Sequence, residues 1–466
     1  MNSQFDPTIF REYDIRGIVG ENLTATLVEK IGLGFAHILH ESRSTPTVLI
    51  GGDARPSSEP FRKALAQGLV RGGVDVIDIG EVATPVLYFA IHHWNIPNGI
   101  VITGSHNPSN YNGLKLTKDF QSFAGENIRE LGDMIRQDNL PRRKEGKKSS
   151  CFTATEEYIE AVKNDITVTN PVKVVVDCGN GITGAYAPGL YQALGCEVIP
   201  LFDEVDGSFP NHHPDPTLPE NLEDLIQAVK KHGADIGIAF DGDGDRVGLV
   251  TDQGEIIWLD RLMAFFSTEI LREKPNSSVI YDIKCSRSLT DAIRAAGGKP
   301  IMWKTGHTHI KAKIKSENAV LGGEFAGHIC FCDRWFGFDD GPYAGARMLE
   351  VLSSTSRSMQ DIFDQFPQLP TTPELFVPIS DESKFQFIEQ LQANGTFKGG
   401  QVSTLDGVRA DYADGFGLVR VSNTSPKLTL RFEGESRESI SRIYETFVQE
   451  MHQIDPTLPT PDLIYA

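Results

Sequence analysis

The sequence predicts an α/β protein of four domains arranged around a central cleft. Apolar strands alternate with amphipathic helices through three successive blocks, which predicts three domains that share one α/β core built on a mixed sheet. The last block, residues 368–466, changes to hairpins and flanking helices, which predicts a C-terminal α+β domain. The length of 466 residues allows about three domains at roughly 150 residues each, and four shorter ones are compatible with it.

The first block shows the alternation of strands and helices clearly. Its predicted strands are residues 48–52, 74–79 and 99–103, and its predicted helices are residues 57–71 and 85–94. In the first helix, Phe61, Leu65 and Leu69 fall on one face, which indicates a helix packed against a sheet. Such apolar strands, separated by helices, are typical of a sheet that is covered on both faces.

Two further blocks repeat this order. Strands are predicted at residues 172–176, 197–201, 235–240, 278–283, 300–303 and 319–321, and helices at residues 184–194, 222–231, 288–296, 309–315 and 343–352. The repeated order predicts diverged copies of one unit, although no repeat of individual residues accompanies it. Residues 141–148 are charged and lack apolar side chains, which predicts a solvated linker after the first block.

The C-terminal block begins after a run of prolines at positions 367, 370, 373 and 378, which predicts a linker. A helix is predicted at residues 384–391, hairpin turns at Asp406-Gly407 and Asp414-Gly415, and a closing helix at residues 439–452. The predicted domains are residues 1–150, 151–255, 256–367 and 368–466.

Composition excludes several classes of protein. The chain has 63 acidic and 44 basic residues, and this net charge of -19 argues against binding to nucleic acid. We find no apolar run of about 18 residues that would span a membrane, and no secretory signal at the N-terminus. The six cysteines form no C-x-x-C pair, which is typical of buried thiols. We therefore expect a cytoplasmic protein that binds neither nucleic acid nor membrane. We also expect a monomer.

An acidic loop, residues 241–246 (DGDGDR), follows one apolar strand and precedes another. The glycines let the backbone curl, so that Asp241, Asp243 and Asp245 can converge. Converging carboxylates repel one another unless a cation lies among them, and hard oxygen ligands select Mg²⁺ or a similar ion. An EF-hand is excluded, because Arg246 stands where that loop requires glycine. The alternative is an Asp-Gly turn on the surface.

A second loop, residues 103–108 (TGSHNP), comes directly after a predicted strand, where α/β proteins place their ligands. Ser105 in this position can act as a nucleophile or carry a phosphoryl group. His106 is its neighbour in sequence, and Lys115 follows ten residues later. The alternative is a serine that only caps a helix.

A third loop, residues 420–426 (RVSNTSP), combines an arginine with hydroxyl and amide side chains. Arg420 offers a bidentate fork to a phosphate, and Ser422, Asn423 and Thr424 can complete its shell of donors. The alternative is a polar turn that contains an arginine by chance.

A fourth loop, residues 322–328 (GGEFAGH), is rich in glycine. Glu324 suits the recognition of neighbouring sugar hydroxyls, and His328 can act as an acid or base near neutral pH. Residues 306–308 form a similar loop after another strand, with His307 at its centre. A histidine in such a loop can also be purely structural.

These four loops, in this order, resemble the α-D-phosphohexomutase family. The family pattern is T-A-S-H-N-P, D-G-D-G-D-R, G-E-x-S-G-H and R-x-S-N-T-x-P, and the resemblance covers essentially the whole chain. Residues 10–17 (FREYDIRG) resemble the family's opening signature. Residues 303–307 (WKTGH) and 335–341 (WFGFDDG) resemble its bacterial phosphomannomutase/phosphoglucomutase branch.

The resemblance implies four domains, a mutase that interconverts hexose 6-phosphates and hexose 1-phosphates, and a phosphoserine at Ser105. It implies that Asp241, Asp243 and Asp245 hold Mg²⁺ together with the Ser105 phosphate. It also implies a hexose 1,6-bisphosphate intermediate, which acts as activator. The residues that it places in catalysis are Ser105, His106, Lys115, Arg16, His307 and His328. The residues that it places around the sugar phosphate are Tyr13, Arg246, Lys284, Gly306, His307, Glu324, Phe325, Ala326, Gly327, His328, Arg420, Val421, Ser422, Asn423 and Thr424.

Two residues depart from the family pattern. Gly104 precedes the serine where alanine is common, and Ala326 stands where the branch usually has serine. The second departure removes a hydroxyl partner of the sugar, at a cost of roughly 0.5–1.5 kcal/mol. The leading hypothesis is a mutase of mannose and glucose phosphates. The alternatives are a phosphoglucosamine mutase, a Mg²⁺-dependent sugar phosphatase and a non-catalytic phosphosugar-binding protein.

Overall fold

The computed structural model describes residues 5–137, 140–366, 368–422 and 426–465. The chain divides into two units. The first unit consists of Met1–Trp258 and Ala326–Phe363, and the second of Leu259–Phe325 and Asp364–Ala466. No helix within the described ranges is long and apolar enough to cross a bilayer.

The first sheet is mixed. Its strands are β1 (Ile15–Ile18), β2 (Thr47–Gly52), β3 (Asp75–Glu81), β4 (Gly99–Ile102), β5 (Tyr111–Lys118), β6 (Gln121–Phe123) and β7 (Lys148–Ser150). They lie in the order β1-β5-β4-β2-β3-β7, with β6 beside β5. Strand β2 runs parallel to β3 and β4, whereas β5 runs antiparallel to β4 and β1. The mixed sheet predicted from sequence is confirmed.

The helices of this region are α1 (Ala25–Glu41), α2 (Ser58–Arg71), α3 (Thr84–His93) and α4 (Glu126–Arg136), and a 3₁₀ turn covers Pro7–Ile9. Helices α1, α2 and α4 share one apolar core with alternate residues of the sheet. As the sequence predicts, Phe61, Leu65 and Leu69 face that core. Helix α3 packs on β2 and β4, and its buried apolar side chains fit the continuous apolar character of these strands.

The predicted linker at residues 141–148 is partly wrong. Residues Lys148–Ser150 form β7, which pairs in parallel with β3 although all three of its side chains are exposed. An edge strand can form from polar residues, because its pairing uses backbone N–H and C=O groups.

The second sheet repeats the arrangement of the first. Its strands are β8 (Lys173–Asp177), β9 (Glu197–Leu201), β10 (Ile236–Phe240), β11 (Val247–Thr251) and β12 (Ile256–Ile257), and its order is β12-β11-β10-β8-β9. The helices are α5 (Ala154–Asp165), α6 (Ala187–Ala193) and α7 (Glu223–His232), with 3₁₀ turns at Ile182–Ala185 and Pro219–Leu222. The order β11-β10-β8-β9 matches β5-β4-β2-β3, including the one antiparallel pair. This match supports the prediction of diverged copies.

The third block contributes to both units. In the second unit lie α8 (Leu259–Glu273), β13 (Ser278–Asp282), α9 (Arg287–Ala295), β14 (Lys299–Trp303), α10 (His307–Glu317) and β15 (Leu321–Glu324). In the first unit lie β16 (His328–Phe331), α11 (Gly341–Ser353) and α12 (Met359–Phe363). Strand β13 runs parallel to β14 on one side and to β15 on the other.

Two boundaries in this block differ from the predictions, and both concern candidate residues. Strand β15 runs to Glu324 and includes Gly322, so the glycine run belongs to a strand and not to a loop. A Cβ on Gly322 would lie 2.4 Å from Ile314 Cδ1, so glycine allows α10 to pack closely on β15. Helix α10 begins at His307, which therefore lies in the first turn of a helix.

The C-terminal region of the second unit is an antiparallel sheet with two helices. Its elements are β17 (Leu375–Pro378), α13 (Lys384–Asn394), β18 (Gln401–Ser403), β19 (Val408–Tyr412), β20 (Gly415–Val421), β21 (Lys427–Gly434) and α14 (Arg437–Ile454). The order is β17-β21-β20-β19-β18, and helices α13 and α14 share its apolar core. Both predicted hairpin turns are confirmed, since β18 pairs with β19 and β19 with β20.

Candidate active site

Ser105 lies in the loop between β4 and β5, just after the carboxyl end of β4. Its Oγ donates a hydrogen bond of 2.9 Å to Asp241 Oδ2 and lies 3.2 Å from His106 Nδ1. The side chain is buried, and the backbone has a φ of +48°. Few residues with a side chain adopt this left-handed conformation, and such backbone is common at functional sites.

Arg16 on β1 approaches the same loop from the neighbouring strands. Its Nη1 donates to the carbonyl of Gly104 and to Asn107 Oδ1, and its Nη2 pairs with Asp14. The guanidinium is buried. Tyr13 is half-buried in the bend that leads into β1. The pairing of β1 with β5 therefore brings the opening signature beside the serine loop.

The three aspartates of the acidic loop lie between β10 and β11 and are completely buried. Asp241, Asp243 and Asp245 each offer a carboxylate oxygen within 4.8 Å of the others. Gly244 has a φ of +79°, which allows the loop to curl around these side chains. The convergence predicted from the spacing is therefore present.

Lys115 on β5 points at the acidic loop. Its Nζ donates to Asp243 Oδ2 at 2.7 Å and to Asp245 Oδ2, and Thr84 Oγ1 donates to Asp243 Oδ2 at 2.5 Å. Burial alone would lower the pKa of Lys115, but the carboxylates of Asp243 and Asp245 raise it well above its usual value. The lysine is therefore held in its charged form.

The pKa values of two aspartates move in opposite directions. Burial and the negative charges of Asp243 and Asp245 raise the pKa of Asp241 well above its ordinary value. Burial would also raise the pKa of Asp243, but the ion pair with Lys115 and the hydrogen bond from Thr84 lower it strongly. One lysine thus stabilises part of the charge of the cluster, and the rest calls for a further cation.

The donor set of this cluster fits a hard divalent cation. Asp243 Oδ1 and Asp245 Oδ1 are buried and receive no hydrogen bond. Buried carboxylate oxygens are normally satisfied, so oxygens without a donor suit a metal ligand. Three carboxylates from one short loop are a typical oxygen set for Mg²⁺ or Mn²⁺. The acidic cluster can therefore bind a metal ion.

Arg246 connects the acidic loop with His328. Its backbone N–H donates to Asp241 Oδ1 at 3.1 Å, and its Nε donates to His328 Nε2 at 3.1 Å. Because Nε2 accepts this bond, the ring proton of His328 lies on Nδ1, which is 3.1 Å from Asp339 Oδ2. Residues Arg246 and His328 also form a backbone bridge.

Ala326 and Gly327 form the short turn before β16, in the first unit. Ala326 is half-buried. Gly327 has a φ of +94°, and a Cβ there would lie 3.2 Å from Arg246 Cβ. Glycine at this position lets the turn approach the acidic loop closely.

His106 lies close to the cationic side chains of Arg246 and Arg16 and to the carboxylate of Asp215. Burial and the positive charge of Arg246 lower its pKa well below the ordinary value, although Asp215 opposes them. The ring therefore presents a neutral imidazole to Ser105. It can offer a hydrogen bond at Nδ1, but it carries no positive charge there.

A second group of candidate residues lies in the second unit, at the ends of β13, β14 and β15. Lys284 Nζ lies 3.3 Å from Glu374 Oε1 and 3.9 Å from Asp282 Oδ2. Burial would lower the pKa of Lys284, but the surrounding carboxylates raise it. Glu324 is buried at the end of β15, and Phe325 places its ring 5.7 Å from Lys284 Nζ.

The loop before α10 is anchored to the same group. Gly306 has a φ of +124° and precedes the helix, and His307 is buried in its first turn. Thr305 donates through its backbone N–H to Asp406 Oδ2 at 3.0 Å and through its hydroxyl to Asp282 Oδ2 at 3.3 Å. These contacts hold the residue that leads into α10 and so position the start of the helix.

The polar loop after β20 is described only in part. Arg420 is buried, and its Nε donates to Asp406 Oδ2 at 3.1 Å. Val421 ends β20, and the carbonyl of Ser422 accepts a hydrogen bond of 2.7 Å from Lys384. Asn423 and Thr424 lie outside the described residues.

Comparison with known proteins identifies the family. Family models for phosphoglucomutase/phosphomannomutase match in order: α/β/α domain I at residues 7–139, domain II at 156–254, domain III at 258–369 and the C-terminal domain at 374–450. The chain belongs to the phosphoglucomutase/phosphomannomutase family. The resemblance and the four-domain α/β architecture predicted from sequence are confirmed, and the protein is an isomerase.

Individual relatives agree with this assignment. The chain is 47% identical over 462 residues to a phosphomannomutase/phosphoglucomutase of Pseudomonas aeruginosa, which covers 97% of both proteins. It is 43% identical to a phosphoglucomutase of Neisseria gonorrhoeae, over 94% of this chain and 95% of that protein. A crystal structure of a family member from Burkholderia thailandensis superimposes with a TM-score of 0.93 at 41% identity, covering 98% of this chain and 100% of that one.

In the present protein, the candidate residues fall into two groups, one in each unit. The first unit holds Tyr13, Arg16, Ser105, His106, Lys115, Asp241, Asp243, Asp245, Arg246, Ala326, Gly327 and His328. The second unit holds Lys284, Gly306, His307, Glu324, Phe325, Arg420, Val421 and Ser422. The roles of these residues, and the limits of the four domains in the chain, remain predictions.

Several residues that organise the two groups escaped the sequence analysis. In the first unit, Thr84 binds Asp243, and Arg55 binds the serine loop. In the second unit, Asp282 and Asp406 hold the ends of several loops. A signal was available for Arg55 and Asp282, because each lies at the carboxyl end of a predicted strand, as Ser105 and Asp241 do.

Proposed function

We propose that this protein interconverts the 6-phosphates and 1-phosphates of mannose and glucose through a phosphoserine at Ser105. The contact of 2.9 Å between Ser105 Oγ and Asp241 Oδ2 carries the proposal. It places a buried hydroxyl directly beside a carboxylate cluster that suits a metal ion. Its setting within a family of sugar-phosphate mutases favours phosphoryl transfer over simple binding.

Two half-reactions account for an isomerisation without net change in composition. The phosphoryl group leaves Ser105 Oγ for a free hydroxyl of the sugar phosphate, which gives a hexose 1,6-bisphosphate. The other phosphoryl group of the bisphosphate then returns to Ser105 Oγ, and the isomeric monophosphate is released. One P–O bond breaks and one forms in each half, so no water is consumed. Added bisphosphate would therefore activate enzyme that has lost its phosphate.

Asp241, Asp243 and Asp245 would hold Mg²⁺ in this proposal, with an oxygen of the Ser105 phosphate as a further ligand. The ion would neutralise negative charge on the transferring phosphoryl group. Arg16, which binds the serine loop, and Lys115, which pairs with Asp243, would contribute positive charge and hydrogen-bond donors. Such preorganised charge favours the transition state, because the donors need not reorient during transfer.

The residues of the second unit would bind the sugar phosphate. Arg420 and Ser422 suit the phosphate that is not being transferred, since a guanidinium and a hydroxyl recognise only its oxygens. Glu324 suits two neighbouring sugar hydroxyls, and Lys284 and His307 add donors. A site that reads phosphate and hydroxyls alone accepts the bisphosphate in either direction, which the second half-reaction requires.

A coupled assay tests the proposal. Mannose 1-phosphate, glucose 1-phosphate and glucosamine 1-phosphate are offered separately with Mg²⁺ and catalytic glucose 1,6-bisphosphate. We expect comparable turnover of the first two. Turnover of the amino sugar alone would identify a phosphoglucosamine mutase, and release of free phosphate without isomerisation would identify a phosphatase.

Ser105→Ala distinguishes an enzyme from a binding protein. We expect this variant to lose turnover and to retain binding of glucose 1-phosphate in a calorimetric titration. The matched control is Ser150→Ala, on the exposed edge strand β7, which should keep full activity. Full turnover by Ser105→Ala would contradict the phosphoserine mechanism.

A further inference from the structure

We propose that Arg55 is a positioning residue that holds the backbone of Ser105 in its reactive conformation. This inference rests on the proposed role of Ser105 as the phosphoryl carrier. Arg55 lies shortly after the carboxyl end of β2, at the same end of the sheet as the serine loop. Its guanidinium does not contact the Ser105 hydroxyl, so its effect would pass through the loop backbone.

The guanidinium of Arg55 satisfies four backbone carbonyls of one loop. Nη2 donates to the carbonyls of Ser105 at 2.9 Å and Asn107 at 2.6 Å. Nη1 donates to the carbonyls of Pro108 at 2.6 Å and Tyr111 at 3.0 Å. These bonds span the loop from the serine to the first residue of β5. A planar fork of five N–H donors can serve four acceptors at once, whereas an ammonium group cannot.

Arg55 is itself held on every side. Its Nε pairs with Asp53 Oδ2 at 3.2 Å, and the Phe209 ring lies 4.9 Å from its Cζ. The residue is only 2% exposed. Asp53 Oδ2 also accepts a hydrogen bond from the backbone N–H of Gly104, so the pair of side chains binds the loop through both donors and acceptors. Because Arg55 and Asp53 are buried and bound to each other, their positions determine the position of the loop backbone.

The residue before the serine shows how closely the loop and the clamp fit. A Cβ on Gly104 would lie 2.3 Å from Arg55 Cζ. The glycine that departs from the family pattern is therefore required by the placement of this arginine. The structure thus gives this departure from the family pattern a steric cause.

The conformation of Ser105 explains why a clamp is needed. With a φ of +48°, the serine occupies a region that side-chain-bearing residues seldom adopt. Strained backbone persists only where surrounding contacts over-determine it. The carbonyl of Ser105 is one of the four that Arg55 binds, so loss of the guanidinium frees the backbone at the residue whose Oγ must face Asp241. Misplacement of a reacting group by about 1 Å can cost roughly 100-fold in rate.

Arg55→Lys tests the inference against a matched control. Lysine keeps the positive charge but cannot reach four carbonyls. The control is Arg347→Lys, another buried arginine of the first unit, whose guanidinium binds Asp333 at 2.8 and 2.9 Å. Both proteins are assayed with glucose 1-phosphate below their unfolding temperatures. We expect Arg55→Lys to lower kcat about 100-fold and to change KM by less than about 3-fold, whereas Arg347→Lys keeps kcat.

Hydrogen exchange supplies a readout that is independent of turnover. We expect the peptide covering residues 103–112 to exchange faster in Arg55→Lys than in Arg347→Lys, with the peptides of the acidic loop unchanged. Equal kcat in the two variants, or a rise in KM that accounts for the lost efficiency, would overturn the inference. Faster exchange throughout the first unit would show a general loss of stability and would overturn it also.

A second variant, Gly104→Ala, keeps the inference testable if Arg55→Lys folds poorly, and the double variant tests the contact if both single variants fold. Gly104→Ala should reduce kcat, because the added methyl group displaces the guanidinium. The same substitution should reduce kcat by a smaller factor in Arg55→Lys than in the wild type. Additive effects would contradict the proposed contact. Intact-mass measurement after incubation with glucose 1,6-bisphosphate separates the two proposals. Wild-type protein that gains no phosphoryl group at Ser105 would contradict the proposed function, whereas loading that is equally fast in Arg55→Lys would contradict only the role of Arg55.

Discussion

Lys115 Nζ lies 2.7 Å from Asp243 Oδ2, and the two residues are 128 positions apart in the chain. Both side chains are buried, so the ion pair forms in a medium that weakly screens charge. Asp243 also accepts the hydroxyl of Thr84 through the same oxygen, which leaves Oδ1 without a hydrogen bond. Asp243 therefore binds Lys115 through Oδ2 and can offer Oδ1 to the proposed metal ion.

Asp243→Asn should therefore weaken metal binding without unfolding the protein. The amide oxygen can still accept the hydrogen bonds of Thr84 and Lys115, but it lacks the negative charge that attracts a divalent cation. We expect Mg²⁺ affinity to fall at least about 10-fold, with most of the Mg²⁺-dependent rate. Calorimetric titration with Mg²⁺ measures the affinity, and the exposed Asp224→Asn serves as control. An Mg²⁺ affinity equal to that of the wild type would refute the assignment of the metal site.

Ala326→Ser should improve sugar recognition. Ala326 is half-buried in the turn before β16, where the family branch usually has serine. A restored hydroxyl would add a hydrogen bond worth about 0.5–1.5 kcal/mol, which is roughly a 2- to 10-fold gain in kcat/KM. Steady-state kinetics with glucose 1-phosphate and mannose 1-phosphate measure the gain. The control is Ala413→Ser, on an exposed turn, and identical kinetics in the two variants would argue against contact between residue 326 and the sugar.

Asp406→Asn should raise KM and leave kcat nearly unchanged. Asp406 Oδ2 accepts hydrogen bonds from Arg420 Nε and from the backbone N–H of Thr305. Replacing the carboxylate with an amide weakens the hold on the arginine, and we expect KM for glucose 1-phosphate to rise about 10-fold. Asp411→Asn is a close control, because Asp411 pairs with a different arginine of the same sheet, Arg409. A fall in kcat at constant KM would contradict a role in substrate binding.

Asp282→Asn should change the pH dependence of stability. Burial raises the pKa of Asp282 to about 6, against an ordinary value of 3.8, even though Lys284 opposes the shift. Between these two values the folded protein keeps a proton that the unfolded chain has lost. Stability therefore falls as the pH rises through this window, by up to about 3 kcal/mol. Because asparagine cannot ionise, the variant should not show this decrease in stability.

Urea unfolding at several pH values tests this expectation. The free energy of unfolding of Asp282→Asn, relative to the wild type, should increase from pH 4 to pH 7 by as much as about 3 kcal/mol. Asp291→Asn, at an exposed carboxylate on α9, is the matched control. Parallel curves for Asp282→Asn and the wild type would show that the carboxyl group does not titrate in the window.

Local sequence patterns predicted much of the secondary structure, although no prediction covered helices α1, α4, α5 and α8. The spacing of Phe61, Leu65 and Leu69 predicts both a helix and its buried face, because side chains three and four residues apart share a face. The boundaries failed where packing overrides local preference. Glycines at residues 322 and 323 suggested a loop, but both lie in β15, where Gly322 allows Ile314 of α10 to pack closely.

The sequence by itself determined the four-block α/β order and the four loops that carry the candidate chemistry. It could do so because strand and helix periods, glycine turns and clusters of like charge are local properties of a chain. Only the tertiary structure decided that Lys115 pairs with Asp243, that Asp406 holds Arg420, and that Arg55 clamps the serine loop. These contacts join residues that are 14 to 128 positions apart. Their geometry depends on strand order and register, and a buried polar group takes whichever partner the fold brings to it.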